Sequence, residues 1–144
     1  MQAKISKDFA KRIFDILKKE YPKVKPALVY SNPFELLIST ILSAQCTDER
    51  VNIVTKELFK KYKKPQDFIN LTQEELEKEI FSTGFYKQKA RSIKACCDEL
   101  IKNHKGKVPA DFDELVKLSG VGRKTASVIA GNAFGIPAIA VDTH

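Results

Sequence analysis

A chain of 144 residues is long enough to bury one hydrophobic core. Hydrophobic residues make up 43% and charged residues 30%, which excludes a disordered chain; no apolar run approaches the roughly 18 residues that a membrane span needs. The formal net charge of +7 and a pI near 9.3 favour a polyanionic partner over an acidic one, although lysine enrichment also serves solubility.

In chain order, Ser6 to about Glu20 places Phe9, Ile13, Ile16 and Leu17 on one helical face. Asn32-Pro33 supplies an N-cap and a first-turn proline. The dense apolar helix through Leu36, Leu37, Ile41 and Leu42 follows, with burial expected on most sides. Thr47 opens a third helix with Val51, Val54, Leu58 and Phe59 inward, and Thr72-Gln73-Glu74-Glu75 is a capping box for a short helix that Gly84 breaks. A longer helix from about Lys87 to Asn103 turns Ala90, Ile93, Cys97, Leu100 and Ile101 to the core and ends at Gly106. Pro109 and Asp111 start a short helix from Phe112 to Leu118, and a last helix runs from Arg123 to Phe134, stopping at Gly135-Ile136-Pro137. No segment alternates as a strand does, so the expected class is all-α with short connections.

The three cysteines, Cys46, Cys96 and Cys97, are expected to be free thiols. Adjacent Cys96 and Cys97 point about 100° apart on a helix, which suits neither a disulfide nor a metal clamp. No Cys-x-x-Cys occurs and His104 and His144 are far apart, so no metal site is expected within the chain. The start, Met1-Gln2-Ala3-Lys4-Ile5-Ser6, lacks the apolar centre of a signal peptide, and a cytoplasmic location is expected.

The segment richest in chemistry is Leu115-Val116-Lys117-Leu118-Ser119-Gly120-Val121-Gly122-Arg123-Lys124-Thr125-Ala126, a helix, a tight glycine hairpin and a second helix. Gly120 and Gly122 permit positive φ and leave no side chain in the way. The hairpin amides and the start of the next helix then make a seat for a phosphate, with Val121 plugging the gap between the helices. A plain helical corner is the competing reading of Gly-x-Gly alone. Arg123 and Lys124 beside the seat favour the phosphate.

This segment resembles the helix-hairpin-helix motif of DNA-repair glycosylases. Ala140-Val141-Asp142-Thr143-His144 resembles the catalytic-aspartate segment of the same superfamily. Leu42-Ser43-Ala44-Gln45-Cys46-Thr47-Asp48 and Ser82-Thr83-Gly84-Phe85-Tyr86-Lys87-Gln88-Lys89-Ala90 also look like that family, with endonuclease III the nearest branch. Three positions depart from the usual pattern: Ser119 in place of proline, Phe85 where leucine is frequent, and Cys46 where alanine is common.

The resemblance implies a six-helix barrel core preceded by an N-terminal helix. Residues 1–31 would be that helix and a linker, 32–135 the core with the helix-hairpin-helix at 112–134, and 136–144 the aspartate segment. Family members continue past this aspartate, most with four cysteines holding a [4Fe-4S] cluster. The chain is therefore expected to be a fragment of a cluster-bearing parent, with no cofactor of its own and weakened catalysis. The Ser6 to Glu20 helix would pack on the missing part.

The implied activity is removal of oxidised pyrimidines from double-stranded DNA, followed by strand cleavage at the abasic site. The protein would act as a monomer at the nucleoid, without a membrane. Lys124 would be the amine nucleophile, and Asp142, eighteen positions on, would stabilise charge on the sugar and handle the amine's proton. Gly120, Val121, Gly122, Arg123, Thr125 and Lys87 would contact DNA, and Gln45 and Phe85 would fill the gap left by an extruded base. The ordinary readings are a surface lysine for Lys124, an N-cap for Asp142, a core residue for Phe85 and a helix-end polar residue for Gln45. Two other functions compete. An adenine-mismatch glycosylase of the same superfamily would lack the lysine, and a non-catalytic DNA-binding module would use the hairpin alone.

Overall fold

The computed structural model describes residues 28–134. The expected helix from Ser6 to Glu20 and the segment 136–144, with Asp142, lie outside these residues. Seven α-helices and one 3-10 turn make up the described chain, and no strand occurs among them.

Helix α1 (Pro33–Leu42) starts where the sequence calls for it. The Asn32 side chain accepts from the Glu35 amide at 2.9 Å, and Glu35 in turn accepts from the Ser31 amide at 2.8 Å. Phe34, Leu36, Leu37, Ile38, Ile41 and Leu42 are all buried, so α1 is covered on nearly every side. It packs against α2 (Asp48–Lys61), α5 (Tyr86–His104) and α7 (Arg123–Phe134). Each such aliphatic side chain stabilises the fold by about 1.5–3 kcal/mol on burial. Leu28 and Tyr30, at the end of the expected linker, lean on this same core.

Thr47 caps α2 by accepting from the Arg50 amide at 3.1 Å; Val51 and Leu58 are buried, and Val54 and Phe59 are half-buried against the core. Helix α3 (Pro65–Ile69) was not foreseen. It has proline in its first turn, and the Asp67 carboxylate accepts from the Lys63 and Lys64 amides at 2.9 and 3.3 Å. Its purpose is Phe68, fully buried between the rings of Phe34 and Tyr62, each with its centroid at 5.6 Å. From α5, Lys94 donates to the carbonyls of Ile69, the last residue of α3, and of Leu71 beyond it.

Helix α4 (Gln73–Ile80) carries the expected capping box. The Glu75 amide donates to Thr72 Oγ1 at 3.0 Å, and the Thr72 amide to Glu75 Oε1 at 2.8 Å. The 3-10 turn Phe81–Thr83 and Gly84, at φ 78°, lead into α5.

Ala90, Ile93, Cys96, Cys97 and Leu100 form the buried stripe of α5; Ile101, expected in it, is only half-buried. The helix ends with both Lys105 (φ 56°) and Gly106 (φ 81°) left-handed, where the sequence assigned that role to the glycine alone. Both amides donate to the Leu100 carbonyl. Helix α6 (Phe112–Val116) stops two residues before the expected Leu118, because the Lys117 and Leu118 amides already turn back to Glu114 and Leu115 to enter the hairpin. Helix α7 has the bounds expected of it.

Candidate nucleic-acid interface

Three connections are held by helices α1 and α5: residues 43–46 after α1 and residues 81–85 before α5, whose flanking carbonyls Lys89 bridges, and the hairpin 117–122 between α6 and α7, which packs along α5. Gly120 shows how closely the hairpin sits against α1 and α5. A Cβ at this glycine would lie 2.9 Å from Ser92 Cβ on α5 and 3.5 Å from Ile41 on α1. Its φ of 79° lies in the left-handed region.

Gly122 differs from Gly120. Its φ is not in the left-handed region, and nothing lies within 4 Å of where its Cβ would be. Its carbonyl accepts from Ala126 at 2.9 Å, so it is the N-cap of α7, with backbone open to approach from outside. Val121 is buried between the helices, as expected. The phosphate seat is narrower than the sequence implied, because the Ser119 and Val121 amides are engaged internally. Ser119 donates its amide to Glu99 Oε1 at 2.8 Å and its hydroxyl to Glu99 Oε2 at 2.7 Å, while the Val121 amide donates to Leu118 at 3.1 Å. A proline at 119 could give neither bond to Glu99, so this chain replaces a stiff residue with a two-point tether to α5. The donors that remain for a phosphate are those of exposed Gly120 and Gly122 and of the first turn of α7.

Lys124 is exposed in that first turn, beside exposed Arg123, whose guanidinium rests 5.5 Å from the Phe112 ring centroid. Thr125 is half-buried, and Lys87 is exposed in the first turn of α5. Asp142 lies outside the described residues, so the distance from Lys124 to its carboxylate is not part of this geometry.

Gln45 and Phe85 share a backbone peculiarity. Both adopt the left-handed conformation, at φ 52° and 47°, which disfavours side chains larger than glycine by roughly 1–2 kcal/mol. Both are nevertheless exposed, Phe85 at 63%. The core reading of Phe85 is thereby set aside: a strained backbone presents a large ring to solvent. Phe85→Gly is expected to leave stability unchanged or raise it by up to about 1 kcal/mol, because it relieves the strain and removes little packing. Urea unfolding measures this, and a loss above about 2 kcal/mol would mean that the ring packs.

The sequence reading missed Lys89. It lies in the second turn of α5 and is 4% exposed, on the same stripe as Ile93, Cys96 and Leu100. Its Nζ donates to the Leu42 carbonyl at 2.7 Å and to the Thr83 carbonyl at 2.9 Å. Burial lowers its pKa from the ordinary lysine value. A lysine in register with an apolar stripe was the available signal.

Burial raises the Cys96 thiol to about 12 and pushes the Cys97 thiol up as well; all three cysteines are free. Among the described residues no group of three or more His, Cys, Asp or Glu could hold a metal ion. No described helix is long and apolar enough to cross a membrane.

The fold and hairpin together define a helix-hairpin-helix protein. Residues 38–144 match the HhH-GPD superfamily of base excision DNA repair proteins, and the chain belongs to that superfamily. It is 55% identical over 124 residues to endonuclease III of Bacillus subtilis (strain 168), covering 86% of this chain and 57% of that protein. It is 48% identical over 144 residues to endonuclease III of Rickettsia prowazekii (strain Madrid E), covering 100% of this chain and 66% of that one. A solved structure of a non-covalent endonuclease III–DNA complex superimposes with a TM-score of 0.80 at 54% identity, over 96% of this chain and 64% of that one. The chain thus spans less than two thirds of the length of these relatives.

Proposed function

We propose that this chain carries the catalytic core of a DNA glycosylase with lyase activity, acting on oxidised pyrimidines and abasic sites in duplex DNA. The observation that supports this reading above others is the set of loops held on helices α1 and α5, two of them bridged by Lys89 and the hairpin packed beside Ser92 and Ile41. They offer two exposed hairpin glycines, an exposed lysine and two strained, exposed side chains. The relatives named endonuclease III, and the DNA in the solved complex of one such protein, point the same way. On this reading the protein works as a monomer on chromosomal DNA at the nucleoid.

The chemistry follows from the residue types. The Lys124 amine attacks C1′ of the damaged nucleotide, forming the C–N bond as the glycosidic electron pair departs with the base, which takes up a proton. Ring opening and loss of the amine proton leave an imine to C1′. The protonated imine acidifies the C2′ hydrogen; its removal as a proton expels the 3′-phosphate and breaks the strand. Asp142 would stabilise the positive charge on the sugar and shuttle the amine's proton. The amides of Gly120, Gly122 and the start of α7, with Arg123, would hold a phosphate. Gln45 and Phe85 would occupy the space vacated by the extruded base.

Sodium borohydride tests the proposal. Incubated with a duplex containing one abasic site, the chain is expected to form a stable covalent adduct with the mass of protein plus cleaved strand. Binding without any adduct would leave a non-catalytic DNA-binding module in its place.

A further inference from the structure

Lys89 has a position that packing alone does not explain. Its ammonium is buried, yet no carboxylate is bonded to it among the described residues; its bonded partners are two backbone carbonyls. Burying a charge that way is unfavourable unless something is gained by it. Those carbonyls belong to residues remote in sequence. Leu42 is the last residue of α1, where the helix dipole favours a cation, and the chain turns from there into Ser43-Ala44-Gln45. Thr83 ends the 3-10 turn, and the chain passes from there through Gly84 to Phe85. The Lys89 amide also donates to the Phe85 carbonyl at 3.0 Å. One residue therefore holds both segments that carry the strained, exposed side chains, three positions downstream of Leu42 in one case and two downstream of Thr83 in the other.

We propose that Lys89 is a positioning residue for base extrusion, locking the Gln45 and Phe85 loops into one rigid unit whose spacing matches a gapped duplex. The inference rests on the proposed function. Lys89 touches no DNA itself. It fixes the separation of two groups that must enter the helix stack together, and without it each loop is free to relax its left-handed residue independently. A second consequence is selectivity. Hairpin contacts to phosphate are the same on damaged and undamaged duplex, so loss of the Lys89 bridge affects only the step that distinguishes them.

The test compares the full chain with Lys89→Met, which keeps the stem and removes the donors. Binding is measured on an undamaged duplex and on one with a single tetrahydrofuran abasic-site analogue. Borohydride-trapping rates are measured on a natural abasic site. Lys89→Met is expected to bind undamaged duplex within about threefold of wild type, since the phosphate contacts are untouched. It should lose most of the preference for the analogue and trap on the order of 100-fold more slowly, as a displacement of about 1 Å would produce. Lys89→Arg, which keeps the charge and can reach both carbonyls, should recover much of both. Lys89→Gln, with donors for one carbonyl and no charge to bury, should fall between, and it decides the matter where the Met variant fails to fold. Wild-type preference and rate in a folded Lys89→Met or Lys89→Gln variant would overturn the inference, as would an equal loss on both duplexes. If wild type itself shows no preference for the analogue and no trapping, the functional reading falls first, and the inference with it.

Discussion

Replacing Lys124 with glutamine is expected to abolish borohydride trapping while leaving duplex binding within a few-fold of wild type. The two effects separate because they use different parts of one turn. The nucleophile is the Lys124 amine, exposed at the start of α7. The phosphate seat is backbone, the amides of Gly120, Gly122 and the first turn, which the substitution does not alter. Glutamine is one atom shorter but polar and unbranched, so the turn retains its helix propensity and solvation. What disappears is the lone pair that forms the bond to C1′, and no hydrogen bond substitutes for it. Trapping at an undiminished rate would show that another amine is the nucleophile. Lost duplex binding would show that Lys124 is chiefly a phosphate contact.

The two hairpin glycines are expected to fail in different ways when each is changed to alanine. Gly120→Ala places a methyl group 2.9 Å from Ser92 Cβ on a backbone at φ 79°. Left-handed strain contributes roughly 1–2 kcal/mol and the overpacking another 1–3 kcal/mol. A loss of about 2–5 kcal/mol should lower Tm by roughly 10 °C or more in a domain of this size. Gly122→Ala meets nothing within 4 Å and needs no unusual φ, so its stability loss should stay below about 1 kcal/mol, the difference between glycine and alanine at an N-cap. Its methyl group instead points into the space where DNA backbone would approach, and DNA affinity should fall. Thermal melts with duplex titrations measure both. Equal drops in Tm for the two variants would contradict this division of labour.

Much of the architecture was legible because caps and period agree. Asn32-Pro33, Thr47 and the Thr72–Glu75 box each start a helix where the sequence says one should start, and α7 runs from Arg123 to Phe134. Helix α3 was not legible: five residues make fewer than two turns, too few to display a period, and only Pro65 and Asp67 hinted at it. In the candidate site, the hairpin and the exposure of Lys124, Gln45 and Phe85 could be anticipated from motif and loop position. The difference between Gly120 and Gly122 could not, since glycine is equally at ease in both conformations. Lys89 and Glu99 escaped notice for another reason. Each acts through bonds to backbone or side chain across 47 and 20 positions of sequence, and no local pattern encodes such a link.

Helix α5 acquires a different meaning once those links are drawn together. Lys89 holds the ends of two loops, Ser92 abuts the hairpin glycine, and Glu99 tethers Ser119. At 100° per residue these three side chains fall within a strip about 80° wide, along about 15 Å of one helix. Every loop at the interface is thus gauged from a single straightedge rather than from its neighbour. Placement errors of the three loops do not accumulate from one to the next, as they would along a chain of loop-to-loop contacts. A substitution at Ser92 or Glu99 shifts the hairpin and leaves the two loops held by Lys89 standing.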